Sequence, residues 1–523
     1  MKLIKISNDS VQIKTDSKHL KNLRINDLLL LSDADVSIVC NVVGLTGNDS
    51  MDIYDYDNEL LGQTDSNNTI DCGIIGSIVN GKFTKSIDIY PSTSVEISVI
   101  EDERFAQMIS SKSGFKIGNF TNYDTEAMID GNKLLQRHFA IVGSTGCGKS
   151  VTTTSLLEKL SGLKSSNVIL FDLHGEYQGL DFVETVKIGN DGLAFPLWFM
   201  PFKDIYSNIL RLKEESATIQ LAGLRSAFYK ARNSDKTDDI PVAFRIEDMR
   251  HDLQQKNEDM IGTGEFYKTG ARQGLEKEVK GENYGKLNSV LALLYDKITD
   301  SRYDFMTEDE PQEYLYEFVE KVYGIGESNI KAIDLSDVPS DIAPVIIAVI
   351  TKLLYNIQRQ QLKNDIHPIC FICEEAHVYI PSSDFGIGAS QRRMLEVFET
   401  IAKEGRKFGT TLGLVSQRPS ELNKTIMAQC ANFIVMKMTN ESDKAKIKGV
   451  LPESSRDIID ALSLFSPGDC LIIGDSVDIT AKIKIDMPSQ MPNSSTINTW
   501  DMWDKKFEQD CGTLVDKLLE KGE

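Results

Sequence analysis

The 523-residue sequence predicts an α/β fold, a mainly parallel sheet covered on both faces by helices, preceded by a smaller β-rich unit. Two observations carry that prediction. From Leu134 onward, fully apolar runs of strand length alternate with longer helical segments, as strands buried on both faces of a parallel sheet do. Before about Glu103, runs are short, often alternating, and separated by Gly, Asn, Asp and Ser, which is the pattern of small antiparallel sheets.

Taken in chain order, residues 1–109 read as a small β-barrel or sandwich, with strands in runs such as Val36-Ser-Ile-Val-Cys-Asn-Val-Val and Ser86-Ile-Asp-Ile-Tyr. The polar stretch 110–133 reads as a linker. Residues 134–200 hold the first part of the α/β core, with strands at Phe139-Ala-Ile-Val and Val168-Ile-Leu-Phe-Asp. Residues 201–330 are rich in Leu, Lys and Glu at helical spacing, over Glu215–Arg232 and Gly274–Ile298, and predict a helical insertion. The core resumes over 331–487, with strands at Lys331-Ala-Ile-Asp-Leu, Pro368-Ile-Cys-Phe-Ile-Cys and Thr411-Leu-Gly-Leu-Val-Ser and helices over Ile342–Leu362 and Gln391–Lys407. Residues 488–523 combine a polar linker with an amphipathic helix whose stripe of Phe507, Leu514, Val515, Leu518 and Leu519 must bury on its own subunit or on a neighbour.

Composition narrows the function without choosing it. No run of about 18 apolar residues occurs, and the longest candidate, Ile346 to Tyr355, carries Lys352, so no membrane partner is expected. The amino terminus turns polar too early for a signal peptide, and the chain reads as cytoplasmic. Cys370 and Cys373 form a CxxC inside an apolar run with no second pair, so they read as strand core rather than zinc ligands. A net charge of -21 argues against a surface that is basic everywhere, yet a local basic lining can still bind phosphates.

The most specific signal is Gly143-Ser-Thr-Gly-Cys-Gly-Lys-Ser150, a complete G-x-x-x-x-G-K-[ST] loop between a strand and a helix. Glycines let backbone N–H groups approach phosphates, and the helix amino terminus adds positive potential. Gly143, Ser144, Thr145, Gly146, Cys147, Gly148, Lys149, Ser150 and Val151 are therefore the expected nucleotide-binding residues, with Lys149 on the β and γ phosphates and Ser150 on Mg²⁺. ATP and Mg²⁺ are the implied ligands. A partner acid is required at the carboxyl end of another parallel strand, and Phe371-Ile-Cys-Glu-Glu-Ala-His377 supplies it. Glu374 is expected on the metal side, and Glu375 as the group that polarises the attacking water.

Three more clusters end or begin strands. Asp172-Leu-His-Gly-Glu-Tyr177 places His174 and Glu176 near phosphate-bound water or the next subunit, or else Asp172 merely caps the turn. Gln417, in Ser416-Gln-Arg-Pro419, is placed to sense the γ phosphate, while Arg418 is either a sensor or a solvated or salt-bridged residue. In Glu404-Gly-Arg-Lys-Phe-Gly409, Arg406 is the expected arginine finger for a site between subunits, with Lys407 beside it and Arg392 and Arg393 as substitutes. The bland alternative is a basic helix end facing its own dipole.

In family order, Leu135-Gln-Arg-His-Phe-Ala-Ile-Val-Gly-Ser-Thr-Gly-Cys-Gly-Lys-Ser, Asp-Leu-His-Gly-Glu-Tyr, Glu-Glu-Ala-His, Glu-Gly-Arg-Lys-Phe-Gly and Ser-Gln-Arg-Pro-Ser resemble the HerA branch of the HerA/FtsK superfamily. The resemblance spans about Asn132 to Ile485. It implies a RecA-like P-loop ATPase core, an amino-terminal barrel and a carboxyl-terminal brace helix. It further implies a homohexamer with double-stranded DNA in its central pore and ATP sites at subunit interfaces. A nuclease or sirtuin-type effector is the implied partner, docking on the barrel, in DNA end processing or anti-phage defence. Two departures stand out: Leu173 where the family usually has Pro, and Glu374 where it often has Asp, which lengthens the metal-side carboxylate by one methylene.

The expected activity is thus ATP-driven translocation or helicase action on duplex DNA, with loops near Ser382 to Arg393 and after Tyr177 facing the pore. The competing expectation is an ATP-gated scaffold that builds a ring to present or restrain an effector without productive movement.

Overall fold

Leu28-Leu-Leu-Leu31 illustrates how the amino-terminal unit is built, because its side chains alternate between two cores. Leu29 and Leu31 pack with Val11, Ile13, Ile38 and Ile70, whereas Leu28 and Leu30 pack with Phe105, Phe120 and Tyr123 toward the larger sheet. The computed structural model describes residues 1–21, 23–33, 36–47, 52–54, 60–63, 68–79, 82–87, 89–92, 94–109, 114–234, 236–323, 329–382, 389–451, 456–494, 498–505 and 510–520. Within them, an antiparallel sheet runs Lys2–Ile6, Ser10–Thr15, Asn68–Val79, Ser37–Thr46, Leu28–Ser32, Glu96–Val99, with Lys82–Thr84 added beside Asn68–Val79. Its first and last strands do not pair with each other among the described residues, so the expected barrel is seen as an open path of strands.

The larger sheet has eleven strands: β1 Phe115–Phe120, β2 Glu126–Ile129, β3 His138–Val142, β4 Val168–Asp172, β5 Glu184–Lys187, β6 Ile330–Asp334, β7 Ile369–Cys373, β8 Thr410–Ser416, β9 Cys430–Met436, β10 Asp469–Gly474 and β11 Lys482–Ile485. Their order is β2-β1-β11-β10-β9-β3-β8-β7-β4-β6-β5. The seven from β9 to β5 are parallel. Four antiparallel strands extend one side. Strands β3, β4, β6, β7 and β8 are buried along their whole length, which is why they read as unbroken apolar runs.

The structure corrects two expectations. Part of the stretch read as a linker forms β1 and β2, with β1 hydrogen-bonded to β11. Its polarity reflects a half-exposed antiparallel extension, since β1 has the burial of only one covered face plus a buried end. The helix expected from Gly274 begins only at Asn288; Glu276–Lys280 instead pairs with Met260–Phe266 as a hairpin. Glycines at 262, 264, 270 and 274 break the helical period there. Otherwise the insertion is helical, over Thr218–Arg232, Ile246–Glu258, Asn288–Thr299 and Tyr314–Tyr323. At the carboxyl end, the expected amphipathic helix is Cys511–Glu520, and Leu514, Val515, Leu518 and Leu519 are exposed on their own chain. Phe507 lies outside the described residues.

Candidate nucleotide site

The glycine-rich loop leaves the carboxyl end of β3 and enters the helix Lys149–Ser161. Its shape is dictated by two glycines. A Cβ on Gly143 would lie 2.7 Å from Cys147 Sγ and 2.9 Å from Met436 Cβ, so only hydrogen fits. Gly148 caps the helix at φ 104°, a left-handed conformation that costs other residues about 1 kcal/mol or more. The loop is braced from both sides: Ser144 N–H donates to Lys437 O at 2.8 Å, and Gly468 N–H to Cys147 O at 2.8 Å. Lys149 is largely buried, and its ammonium rests on Ser144 O at 3.3 Å with no ion pair among the described residues. Ser150 and Val151 begin the helix beside it, both half-buried.

Glu374 and Glu375 follow β7, two strands from β3 on the same edge of the sheet. Glu374 is buried and takes a hydrogen bond from the Tyr177 hydroxyl to Oε1. Burial raises its carboxyl to about 8, the Tyr177 hydrogen bond opposes that rise, and the neighbouring Glu375 charge adds to it. Tyr177 closes the loop after β4, where Asp172 accepts backbone N–H groups from His174, Glu176 and Tyr177 at 3.2, 3.2 and 3.0 Å. Asp172 thus caps that turn, with His174 exposed and Glu176 half-buried beside the site.

Glu375 sits at φ 45°, ψ 42°, left-handed backbone that a non-glycine residue rarely adopts. That turn holds its carboxylate near His377, whose Nδ1 lies 3.2 Å from Glu375 Oε2 and 3.2 Å from Ser416 Oγ. Burial acts to raise the Glu375 carboxyl, but His377, Lys149 and His174 outweigh it, and the group stays ionised below the usual range. Glu375 Oε2 is buried and lacks a well-aligned hydrogen-bond donor. A buried, ionised, under-satisfied oxygen is what a water-polarising group requires.

Gln417 follows β8, and the Thr145 hydroxyl donates to its Oε1 at 2.5 Å, tying it directly to the glycine-rich loop. Arg418 points away and pairs with Glu421 at 3.0 Å. Arg406 and Lys407 lie at the opposite end of β8, both exposed. Because Val142 pairs with Ser416, that end lies roughly 20 Å from the loop at about 3.3 Å per residue. Arg393 is engaged within the chain, with Nη1 3.2 Å from Asp204, while Arg392 is exposed. The structure therefore gathers Lys149, Ser150, Glu374, Glu375 and Gln417, and separates Arg406 and Lys407 from them. Cys370 and Cys373 are buried strand residues.

Tyr177 and His377 are contacts that motif reading left without roles. Both sit inside quoted motifs, but only the crossing of β4, β7 and β8 shows what they touch. The residues fit Mg²⁺ with a nucleoside triphosphate: a loop with no room for a Cβ at Gly143, a lysine with no ion pair among the described residues, and a buried carboxylate oxygen beside His377. Among the described residues no cluster of three or more His, Cys, Asp or Glu is arranged to hold a metal alone, so phosphates and water would supply most of its ligands. No helix among them is long and apolar enough to cross a membrane.

This fold and edge define a mixed α/β protein with a P-loop at the carboxyl ends of a parallel sheet. The family model described as "Helicase HerA, central domain" matches residues 115–354. The chain is 30% identical over 438 residues to a DNA double-strand break repair helicase HerA of Sulfurisphaera tokodaii, covering 82% of this chain and 80% of that one. It is 26% identical over 411 residues to a probable helicase of Methanocaldococcus jannaschii, covering 78% and 73%. Among solved structures, VirB4 of Thermoanaerobacter pseudethanolicus is similar at a TM-score of 0.49 and 16% identity, over 73% of this chain and 98% of that one. The chain belongs to the HerA family.

Proposed function

We propose that this protein is an ATP-driven translocase or helicase acting on double-stranded DNA, working in the cytoplasm as a homohexamer with its ATP sites between subunits. One observation supports it above the others: Arg406 is exposed at the edge of the sheet opposite its own glycine-rich loop, out of reach of its own phosphates and open to a neighbouring copy of the chain. Bound Mg²⁺ would neutralise charge on the transferring phosphoryl group. Ser150 and Glu374 hold it from the protein side; Lys149 orients the β and γ phosphates. Glu375, ionised and held by His377, takes the proton of the attacking water. Gln417, linked to Thr145, reports the state of the γ phosphate to β8. Arg406 of the neighbour, backed by Lys407, stabilises the transition state.

Loops at Ser382–Arg393 and after Tyr177 are assigned to the pore; residues 383–388 lie outside the described set. The amino-terminal unit, residues 1–109, is assigned to docking a nuclease or sirtuin-type effector, in DNA end processing or antiviral defence. The carboxyl-terminal helix, residues 488–523 with their linker, is assigned as a brace. Linear duplex DNA should stimulate the ATPase, and Lys149→Ala and Glu375→Gln should abolish it. Hydrolysis that duplex leaves unchanged, with and without a co-purified effector, would overturn the motor in favour of an ATP-gated scaffold.

A further inference from the structure

The hairpin in the helical insertion is an isolated ribbon. Among the described residues, Met260–Phe266 and Glu276–Lys280 pair only with each other, and every residue of the first strand is exposed. Seven residues at about 3.4 Å each make an arm of roughly 24 Å before the turn is counted. A two-stranded ribbon without a covered face gains little stability from its own packing. Its turn is nevertheless well formed: Tyr267 N–H donates to Leu275 O and Gly274 N–H to Tyr267 O, each at 3.0 Å, and Gln273 N–H closes on Gly270 O at 3.0 Å.

The charge of the tip is opposite in sign to that of the chain as a whole. Residues 266–275 hold Lys268 and Arg272 and no carboxylate, in a chain of net charge -21. Several cations elsewhere in the insertion are engaged: Lys230 and Lys256 with Asp252, Arg245 with Asp309, Arg302 with Asp300. Lys268 and Arg272 enter no ion pair or ring contact among the described residues. The two nearest carboxylates are themselves occupied, Glu265 by Lys277 at 3.0 Å and Glu276 by Gly264 N–H at 2.8 Å. The apolar pair Ile261 and Val279 sits at the stem, away from this free positive charge.

We infer that the ribbon Met260–Lys280 is a duplex-DNA contact, with Lys268 and Arg272 gripping backbone phosphates. Its two-stranded width suits a major groove of about 12 Å, and flexible glycines at the tip let the cations follow the backbone. The inference rests on the reading of the protein as a DNA motor and adds an arm outside the sheet edge to it.

The test uses the full chain and a fluorescein-labelled 40-base-pair duplex, titrated by anisotropy from about 50 to 200 mM salt. Losing two phosphate contacts should lower the slope of log K against log salt by about 1.8 in Lys268→Ala/Arg272→Ala and weaken low-salt binding about tenfold. Lys268→Glu/Arg272→Glu should lose more, and Lys236→Ala/Lys321→Ala, with the same charge change elsewhere on the insertion, should keep the wild-type slope. Basal ATPase should be unchanged in all three. A wild-type chain that binds duplex and is stimulated by it, alongside a ribbon variant of equal slope and affinity, overturns the ribbon alone. A wild-type chain that neither binds duplex nor responds to it overturns the motor reading and the ribbon together. Loss of a co-purifying protein with DNA binding intact overturns the inference in favour of a protein contact.

Discussion

Replacing Arg406 by alanine separates the two roles its position allows. From Val142 beside Ser416 back to Thr410, β8 spans six residue steps, about 20 Å, and Arg406 lies further still. Through an effective dielectric of about 20, a unit charge at that distance contributes under about 1 kcal/mol, at most roughly fivefold in rate. Contact with the transferring phosphate from a neighbour is worth about a thousand-fold, or about 4 kcal/mol. A purified Arg406→Ala ring should therefore lose about three orders of magnitude in ATP turnover while still binding nucleotide. Mixing sharpens the measurement. Glu375→Gln rings keep the finger and lose the base; Arg406→Ala rings do the opposite. Co-assembled at equal amounts, about one interface in four pairs an intact base with an intact finger, so DNA-free hydrolysis should recover toward a quarter of wild type. A loss of fivefold or less in the single variant, or mixed rings no more active than the sum of their parents, would refute the argument.

Three further outcomes follow from the site. Glu375→Gly and Glu375→Ala should both abolish hydrolysis, but glycine relieves the φ 45° backbone, so by chemical denaturation it should be more stable than alanine by about 1 kcal/mol. Glu374→Gln should stabilise the nucleotide-free protein increasingly as pH rises. The wild-type carboxyl, lifted by burial to about 8, favours folding fully below its ordinary value near 4.5, and that contribution is lost as pH rises to 8. The melting-temperature gap between variant and wild type should thus open between pH 5 and 8 and then level off, reflecting a few kcal/mol at most; a gap that closes with rising pH contradicts the assignment. Gly143→Ala should weaken ATP binding in equilibrium titration, because its Cβ would press on Cys147 and Met436 and deform the loop at a cost of about 1–3 kcal/mol.

What was legible in the sequence follows from which constraints are local. Strands β3, β4, β6, β7 and β8 are buried on both faces, so composition alone marks them, and the glycine-rich loop is marked because phosphate chemistry restricts its residue types. Strand β5, Glu-Thr-Val-Lys, lies at the end of the sheet and reads as polar. Strand β1, Phe-Lys-Ile-Gly-Asn-Phe, is held by β2 and β11, and nothing in its own sequence names those partners. The ribbon Met260–Lys280 has no covered face, so no hydrophobic period exists to announce it.

The same distinction runs through the site. Adjacent carboxylates after an apolar run mark Glu374 and Glu375 as a pair, but their different protonation is a tertiary effect. Burial and the adjacent Glu375 charge keep the first near neutral, against the opposing hydrogen bond from Tyr177, brought from β4. His377 and Lys149 keep the second charged. Nothing in Glu-Glu-Ala-His announces that the second glutamate occupies left-handed backbone, a conformation its side chain disfavours. That strain is informative because it works against folding. A regular turn would direct Glu375 elsewhere, so the fold bears about 1–3 kcal/mol to aim one carboxylate toward His377 and Lys149. The residue that chemistry selects from the sequence is also the one whose backbone is distorted, and the two signals are independent.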